Sequence, residues 1–297
     1  MSLIVPAVGF GLVTAALLAI AAVGFTLQFS VTNVLNLAYG DVMTACAFAA
    51  YWVNVTLGLN IWIALLAGGI FGALFTPLIN RGIYAQFRRR GTSLFAMVMV
   101  TLSVGLLIRF GLQALVGSSF FDYRLVQGTA IHFAGMTFAA SNLGIMAIAV
   151  AAMLSVHALL RYTKLGKAMR AVAADANMAR SCGIRSDRIV DVALAMSGAL
   201  CGMAGVALAM NTATFTIGTG NSFLVIIIAA AVLGGVGQPY GAMAGALVIG
   251  IGSELAAAII SPDVKDVFAF LVLVIILLVR PAGIFVGLSG RKEAIVG

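Results

Sequence analysis

Two polar stretches interrupt long apolar runs of the chain and carry side chains suited to contact a small solute. TNVLNLAYGD spans residues 32–41, and NTATFTIGTGNS spans residues 211–222. Asparagine and tyrosine both donate and accept hydrogen bonds, so they can contact a small zwitterion without imposing a net charge. Free amide N–H groups at the start of a following helix favour an anionic group. The alternative is that these side chains bond only to one another and fix helix packing.

We treat the polar residues of both stretches as candidates for a solute pathway. Gly40 would permit a turn, and Asp41 would cap the helix that begins there. Glu254 lies inside an apolar run, where an acid usually faces a protein interior or a cavity, unless it lies near the headgroups. Arg109 allows the same two interpretations, with snorkelling to the interface as the alternative. The candidate pathway residues are Asn33, Asn36, Tyr39, Gly40, Asp41, Asn211, Thr212, Thr219, Asn221 and Glu254.

The chain shows no pattern typical of a catalytic or metal-binding site. The two histidines and three cysteines have no metal-ligand spacing, and we expect the cysteines to be free thiols. GKAM at 166–169 lacks the preceding glycine and the following hydroxyl residue of a phosphate loop. We therefore expect no catalytic residue, no metal and no cofactor, and a chain that is not an enzyme and does not itself hydrolyse ATP.

The composition predicts the elements that must position these residues. Hydrophobic residues make up 63% of the chain, charged residues 9%, and the mean hydropathy is +1.15, whereas soluble domains carry about 25% charged residues. We predict an all-α polytopic membrane protein of about eight to ten transmembrane helices, forming a single transmembrane domain over 1–297. The predicted spans are 6–28, 41–57, 60–79, 94–116, 138–160, 189–210, 222–236, 241–260 and 266–279.

Basic residues cluster at 81–90, 161–188 and 280–292, which bears on orientation in the membrane. Lys and Arg mark cytoplasmic loops, and an even number of predicted spans separates each cluster from the next. The net charge of +8 therefore indicates topology and contact with membrane lipid, not nucleic-acid binding. The prediction is an N-terminus outside and a C-terminus in the cytoplasm.

On this topology the first polar stretch faces the cytoplasm, yet it carries no Lys or Arg. We favour a discontinuous helix whose break is partly buried in protein, because irregular backbone at membrane depth is tolerated only there or beside a water-filled cavity. An ordinary turn at the membrane surface is the alternative. The second stretch would face outside, so the two breaks suggest an inverted repeat, although Gly-containing turns also resemble each other by chance.

LGKAMRAVAADANMARSCGI at 165–184 has the pattern of one amphipathic helix. Gly183 would end this helix as a C-cap does. The helix could lie on the membrane or dock into a groove of another protein. Its apolar face would carry Leu165, Met169, Val172, Ala173, Ala176 and Ala179, and its polar face Lys167, Arg170, Asn177 and Ser181.

Four stretches spread over nearly the whole chain resemble the permeases of branched-chain amino acid ABC importers, of the Liv-type H subunit. VLNLAYGDVMTACAF (34–48) resembles the Asn-x-Ala-His-Gly-acid segment of that family, with Tyr39 where the family often has His. Residues 165–184 resemble its cytoplasmic coupling loop, although Ala173-Ala174-Asp175 only loosely resembles Glu-Ala-Ala. VLGGVGQPYGAMAGALVIG (232–250) and RPAGIFVG (280–287) resemble its Gly-rich turn and its ending.

The resemblance implies a permease subunit of the bacterial inner membrane that imports branched-chain or similar small amino acids by alternating access. It implies as partners a second, paralogous permease, two ATP-binding cassette subunits and an extracytoplasmic solute-binding protein. Urea, short amides, sugars or other small polar solutes are the alternative substrates, and a stand-alone secondary transporter is the rival class. Within a coupling loop at 161–188, the implied ATPase-coupling residues are Gly166, Lys167, Arg170, Ala174, Asp175 and Gly183.

Overall fold

The computed structural model describes residues 4–124, 131–133, 136–261, 264–279 and Gly283. These residues form an almost wholly helical chain, which confirms the all-α class predicted from composition. The last predicted basic cluster and most of the RPAGIFVG ending lie outside the described residues.

The helices alternate with short irregular segments along the chain. Within the described residues, six helical segments are long and apolar enough to cross a membrane: Pro6–Thr32, Ile61–Arg88, Leu94–Val116, Ala140–Tyr162, Ser186–Thr212 and Pro239–Ile259. The helices are α1 (Ile4–Thr32), α2 (Tyr39–Tyr51), α3 (Ile61–Ile79), α4 (Ala85–Arg89), α5 (Leu94–Val116), α6 (Ala140–Tyr162), α7 (Lys164–Ala174), α8 (Ala176–Ser181), α9 (Ser186–Thr212), α10 (Thr219–Gly234), α11 (Pro239–Ile259) and α12 (Val264–Val279).

Helices α2, α10 and α12 match predicted spans but have only 13, 16 and 16 residues. A membrane crossing needs about 20 residues. Helix α2 continues as a π-helical turn over Trp52–Thr56, and α3 continues through another over Asn80–Tyr84 into α4. The sequence pattern did not predict these π turns, because a single wide turn leaves the apolar period almost unchanged.

The chain divides into two compact units. The first contains Met1–Thr26, Val126–Val150 and Val225–Gly297. Here Gly250 of α11 lies against the backbone of Ala15 in α1, and Gly234 of α10 lies against Gly241 of α11. A side chain at these glycines would collide with backbone, so the close helix crossings require glycine.

The second unit contains Leu27–Leu125 and Ala151–Leu224. Glycines again permit close helix packing, because Gly72 of α3 lies against Gly198 of α9, and Gly68 lies against Gly202. The Gly-xxx-Gly spacing at 198–205 therefore serves packing within the chain.

Short strands, which the sequence did not predict, join loops outside the helices. β1 (Phe121–Asp122) pairs antiparallel with β4 (Thr214–Phe215), which follows α9. β2 (Ile131–Phe133) pairs antiparallel with β3 (Met136–Phe138). Strands of two or three residues are too short to show a period of two in sequence.

Candidate functional site

The first polar stretch is a helix break closed by its own side chains. Helix α1 ends at Thr32, and Asn33 has a φ of 51°, a left-handed conformation that asparagine tolerates better than most residues. The buried side chain of Asn36 accepts hydrogen bonds from the backbone N–H of Ala38 at 3.0 Å and from the Tyr84 hydroxyl at 3.3 Å. Asn36 therefore shapes the turn that begins α2.

Helix α5 supplies the remaining contacts of this break. The buried hydroxyl of Thr101 accepts the N–H of Leu37 at 3.2 Å and lies 3.3 Å from the carbonyl oxygen of Leu35. Unpaired backbone groups at membrane depth are costly, and here protein groups satisfy them. The structure therefore has the predicted break in the helix, and the break is partly buried in protein.

The sequence suggested that Asp41 caps α2, but in the structure Asp41 forms an ion pair instead. The N-cap position is Ala38, which has helical dihedral angles and no side-chain cap. Arg109 Nε on α5 donates to Asp41 Oδ1 at 3.1 Å, and the two side chains are 25% and 6% exposed. Gly105, one turn before Arg109, makes room for the carboxylate, since a Cβ there would lie 2.5 Å from Asp41 Oδ2. The pairing neutralises both charges. Arg109 therefore faces the protein interior and does not snorkel to the membrane interface, which was the alternative.

Gly40 also has a different role from the predicted turn. It lies inside α2, where a Cβ would be 2.6 Å from the carbonyl oxygen of Gly220 in α10. The Thr44 hydroxyl accepts the N–H of Gly220 at 3.1 Å and lies 3.2 Å from the carbonyl oxygen of Gly40. The first turns of α2 and α10 therefore meet backbone to backbone. We call this contact the helix-start junction, made of Gly40, Thr44 and Gly220.

The second polar stretch leads into this junction. Helix α9 ends at Thr212, Ala213 has a φ of 62°, and α10 starts at Thr219. The Thr219 hydroxyl accepts the N–H of Thr216 at 2.8 Å, which closes the turn before α10. A small cavity of about 10 Å³ borders the junction. Its lining combines threonines with apolar side chains: Met43, Thr44, Ala47, Gly205, Leu208, Ala209, Phe215, Thr216, Thr219 and Gly220.

Phe215 of this lining belongs to a group of packed aromatic side chains. Phe215 on β4 lies 5.1 Å from Phe48, 5.3 Å from Tyr123 and 6.1 Å from both Tyr51 and Phe121, measured between ring centroids. The Tyr123 hydroxyl donates to the carbonyl of Ala47 at 2.8 Å, and the β1–β4 pairing holds Phe121 opposite Phe215. We call these five rings the aromatic cluster.

Comparisons with known proteins agree with this architecture. A family model described as "Branched-chain amino acid transport system / permease component" matches residues 7–277. The chain belongs to this family. It is 29% identical over 293 residues to the high-affinity branched-chain amino acid transport system permease protein LivH of Escherichia coli K12, covering 93% of this chain and 92% of LivH.

Two further relatives cover the chain to a similar extent. BraD of Pseudomonas aeruginosa, a permease protein of the same description, is 28% identical over 301 residues, covering 95% of this chain and 94% of BraD. The solved structure titled PsaBC from Streptococcus pneumoniae in complex with Fab has a TM-score of 0.51 at 13% identity, covering 95% and 94% of the two chains. At that identity the likeness concerns the fold alone.

The junction gathers only some of the residues predicted for the permease pathway. Tyr39, Gly40, Asp41 and Thr219 lie in the first turns of α2 and α10, with Asn36 directly before α2. Other candidates are more open: Asn33, Asn211 and Thr212 are exposed, and Asn221 is half-buried.

Glu254 belongs to the first unit, where it accepts hydrogen bonds from Thr14 at 3.0 Å and Lys265 at 2.6 Å. Sequence reasoning missed Thr44, Thr101, Thr216 and Phe215, because single threonines and aromatics in apolar runs carry no distinctive signal.

Residues 165–184 do not form the single helix predicted from their pattern. Asp175 has extended dihedral angles and separates α7 from α8. Its carboxylate accepts the N–H groups of Met178 at 3.0 Å and Asn177 at 2.7 Å, and these bonds lower the pKa of Asp175. Asp competes with the helix for backbone donors, which explains the break. The C-cap of α8 is Cys182, and Gly183 follows it with a φ of 81°, the left-handed glycine that commonly comes directly after a C-cap.

The apolar face of this segment is narrower than predicted. Val172 of α7 and Ala179 of α8 pack with Val190 and Leu194 of α9, and Val31 at the end of α1 joins them. Met169 is also buried, whereas the predicted apolar residues Leu165 and Ala173 are exposed.

The candidate coupling residues lie mainly on the opposite surface. Lys167, Arg170, Ala174, Asp175 and Gly183 are exposed. Gly166 is buried against the backbone of Leu159 and Leu160, so its place is structural, not on the surface.

Proposed function

We propose that this chain is the pore-forming subunit of an ATP-driven importer of branched-chain or similar small amino acids in the bacterial inner membrane. The helix-start junction carries the structural side of the proposal. Two helices that each begin after a break in the chain present their first turns to one another. Discontinuous helices in transporters form solute sites. The substrate class follows the relatives LivH and BraD, whose names specify branched-chain amino acid transport.

The lining of the junction cavity suits a small aliphatic amino acid. Met43, Leu208 and Phe215 offer apolar surface for the side chain. Thr216 and Thr219 also belong to the lining, with their hydroxyl groups 3.3 Å from each other in this conformation. At about 10 Å³ the cavity holds no amino acid in this conformation. Transport therefore requires α2 and α10 to separate, and the aromatic cluster to move, in an alternate conformation.

Helix α9 is the element proposed to transmit motion between the exposed segment and the junction. Its first turns pack on α7 and α8, and its 27 residues span about 40 Å. Near its middle the Cys201 thiol contacts the carbonyl oxygen of Tyr39 at 3.4 Å, and Gly205 lies against Met43. A partner ATPase that displaces α7 and α8 would therefore shift α9 against α2.

The surface of α7 and α8 suits such a partner. Lys167 and Arg170 are exposed on α7, and so are the apolar side chains of Leu165 on α7 and Met178 on α8. Mixed basic and apolar surface is typical of a helix that docks into a groove. The proposed partners are two ATP-binding cassette subunits, with a paralogous permease and an extracytoplasmic solute-binding protein.

The pairing of the intramembrane acids argues against an ion-coupled secondary transporter. Coupling by protons or Na⁺ would need an intramembrane acid to bind the ion, which for these two acids would mean breaking an ion pair. Asp41 is paired with Arg109, and Glu254 is paired with Lys265.

Reconstitution tests the proposal. Proteoliposomes that contain the permease, its paralogue and the ATPase subunits, supplied with the binding protein, should take up labelled leucine only with ATP. Urea and acetamide in the same assay should not be taken up. Uptake without ATP, or uptake of the amides and not of leucine, would reject the proposed mechanism or the proposed substrate.

A matched pair of variants tests the coupling surface. Arg170→Glu reverses a charge on the exposed face of α7 and should leave ATP hydrolysis unlinked to uptake. Arg170→Lys keeps the charge and should remain coupled. If both variants keep the wild-type ratio of solute transported to ATP hydrolysed, α7 is not the coupling helix.

A further inference from the structure

An open polar cavity of about 550 Å³ lies at one end of α3, away from the helix-start junction. It is formed where the π turn and α4 meet α8 and the first turns of α9. The lining is Asn80, Arg81, Ala85, Gln86, Arg88, Arg180, Asp187 and Asp191. Three arginines and two aspartates give these residues a net charge of +1.

The aspartates orient the arginines and leave donors available. Arg81 Nε donates to Asp191 Oδ2 at 2.8 Å, while Asn80 Nδ2 donates to Asp191 Oδ1 at 3.0 Å. Arg180 donates to Asp187 at 3.3 Å through one terminal nitrogen. Among the described residues, the two terminal nitrogens of Arg81 have no hydrogen-bond acceptor. Its side chain is 71% exposed, so these donors are accessible.

A strip of exposed apolar side chains leads along α3 towards this cavity. Ile70, Leu74 and Leu78 recur every four residues, so they share one face of the helix, and Leu74 and Leu78 are 70% and 66% exposed. Residues 61–88 form one of the helical segments long and apolar enough to cross a membrane. The strip would thus face acyl chains, and Arg81, three residues after Leu78, would lie at headgroup level.

We propose that this cavity binds the phosphate of an anionic phospholipid, with its acyl chains along Ile70, Leu74 and Leu78. Arginine donates in a planar fork that matches phosphate oxygens, and its charge strengthens each bond. Basic cavities between transmembrane helices are suited to lipid headgroups. The site is separate from the helix-start junction, and through Arg180 it shares α8 with the proposed ATPase-docking surface.

Native mass spectrometry of the purified permease tests the site, with phosphatidylglycerol and phosphatidylcholine as probes. The wild type should retain phosphatidylglycerol in preference to phosphatidylcholine. Removal of charge-assisted bonds in Arg81→Gln/Arg180→Gln should weaken phosphatidylglycerol binding by roughly tenfold or more. Arg90→Gln is the matched control, because Arg90 is exposed but does not line the cavity.

A second variant keeps both ion pairs and so avoids a loss of folding. Gln86→Glu places a negative charge in the cavity wall and should also lower phosphatidylglycerol retention, with the thermal unfolding temperature unchanged in lipid-free detergent. Equal retention of the two lipids, or unchanged retention in Gln86→Glu, would overturn the proposal. Displacement of the lipid by millimolar inorganic phosphate would overturn it too, since the cavity would then be a site for free phosphate.

Discussion

Substitution of Gly40 by alanine would perturb the helix-start junction with the smallest possible change. The new Cβ would lie 2.6 Å from the carbonyl oxygen of Gly220 and 2.9 Å from the Cα of Asn221. Both contacts are with backbone, so no side-chain rotation can relieve them. To restore an ordinary contact of 3.4 Å, the starts of α2 and α10 must separate by about 0.8 Å.

The structure allows an estimate of the cost. Overpacking of this kind costs about 1–3 kcal/mol. The same separation would stretch the 3.1 Å bond between the Gly220 N–H and the Thr44 hydroxyl beyond hydrogen-bond range, at about 0.5–1.5 kcal/mol. Alanine recovers about 0.5–1 kcal/mol of helix propensity. Together these terms predict that Gly40→Ala lowers the free energy of unfolding by about 0.5–4 kcal/mol, with a middle value of about 2 kcal/mol. We also expect it to slow uptake in the reconstituted importer.

Thermal unfolding with a thiol-reactive fluorophore measures this change. Cys46 and Cys201 are buried and react only on unfolding, whereas the exposed Cys182 would be replaced by serine in every variant. Gly111→Ala is the matched control, since a Cβ at this helical glycine meets no atom within 4 Å. It should match or exceed the wild type in stability, with normal uptake. If Gly40→Ala proves as stable and as active as Gly111→Ala, the backbone contact at the junction is not what we describe.

Three further predictions concern other parts of the chain. Asp41→Asn or Arg109→Gln alone should destabilise the permease by about 3–5 kcal/mol, because each leaves a charge unpaired. In a double-mutant cycle of thermal unfolding, the double variant should recover much of this loss. Additive losses of stability would contradict a direct ion pair. Phe215→Ala should let solute leak through the reconstituted importer without ATP. Phe71→Ala is the control and should not cause a leak, because it removes a ring that stacks on Phe75 of the same helix. A Phe215→Ala importer without such a leak would exclude the aromatic cluster as a barrier. Because the folded pKa of Asp175 is lowered, its cap stabilises α8 above the ordinary carboxyl pKa and is lost as pH falls through the lowered value. The protection of α8 amides from hydrogen exchange, corrected for the intrinsic rate at each pH, should therefore fall at acidic pH in the wild type but not in Asp175→Asn, whose amide oxygen keeps the cap. An equal loss of protection in both would show that another group is responsible.

Contacts within the second unit bring two of the basic clusters together. The first basic cluster and the 161–188 segment lie at one end of that unit, since Arg81 pairs with Asp191 and Arg180 lines the same cavity. This agrees with the prediction that both clusters face the same side of the membrane. Labelling of single cysteines in intact cells would test which side: an impermeant reagent should reach a cysteine at Ser119 and not one at Gln86.

Local features of the sequence were sufficient for the long helices and for some of their interruptions. Apolar runs of membrane length lead to helices because the backbone must satisfy its own hydrogen bonds in lipid. The break after Thr32 was predicted from polar residues without Lys or Arg between two apolar runs, and a helix end near Gly183 from the tolerance of glycine for left-handed dihedral angles. The split of 165–184 at Asp175 was missed, because an amphipathic pattern continues across a short capped break.

What each polar residue contacts was decided only by tertiary structure. Asp41 looked like a helix cap, but Arg109 lies 68 residues away in the chain and reaches it across the space left by Gly105. Gly40 looked like a turn residue, but its lack of a side chain allows the backbone of Gly220, 180 positions later in the chain, to approach it closely. Sequence spacing reports periodicity within one helix, whereas ion pairs and backbone crossings between helices depend on how distant segments pack. The sequence by itself determined where the helices run and break, and packing determined which of the breaks meet.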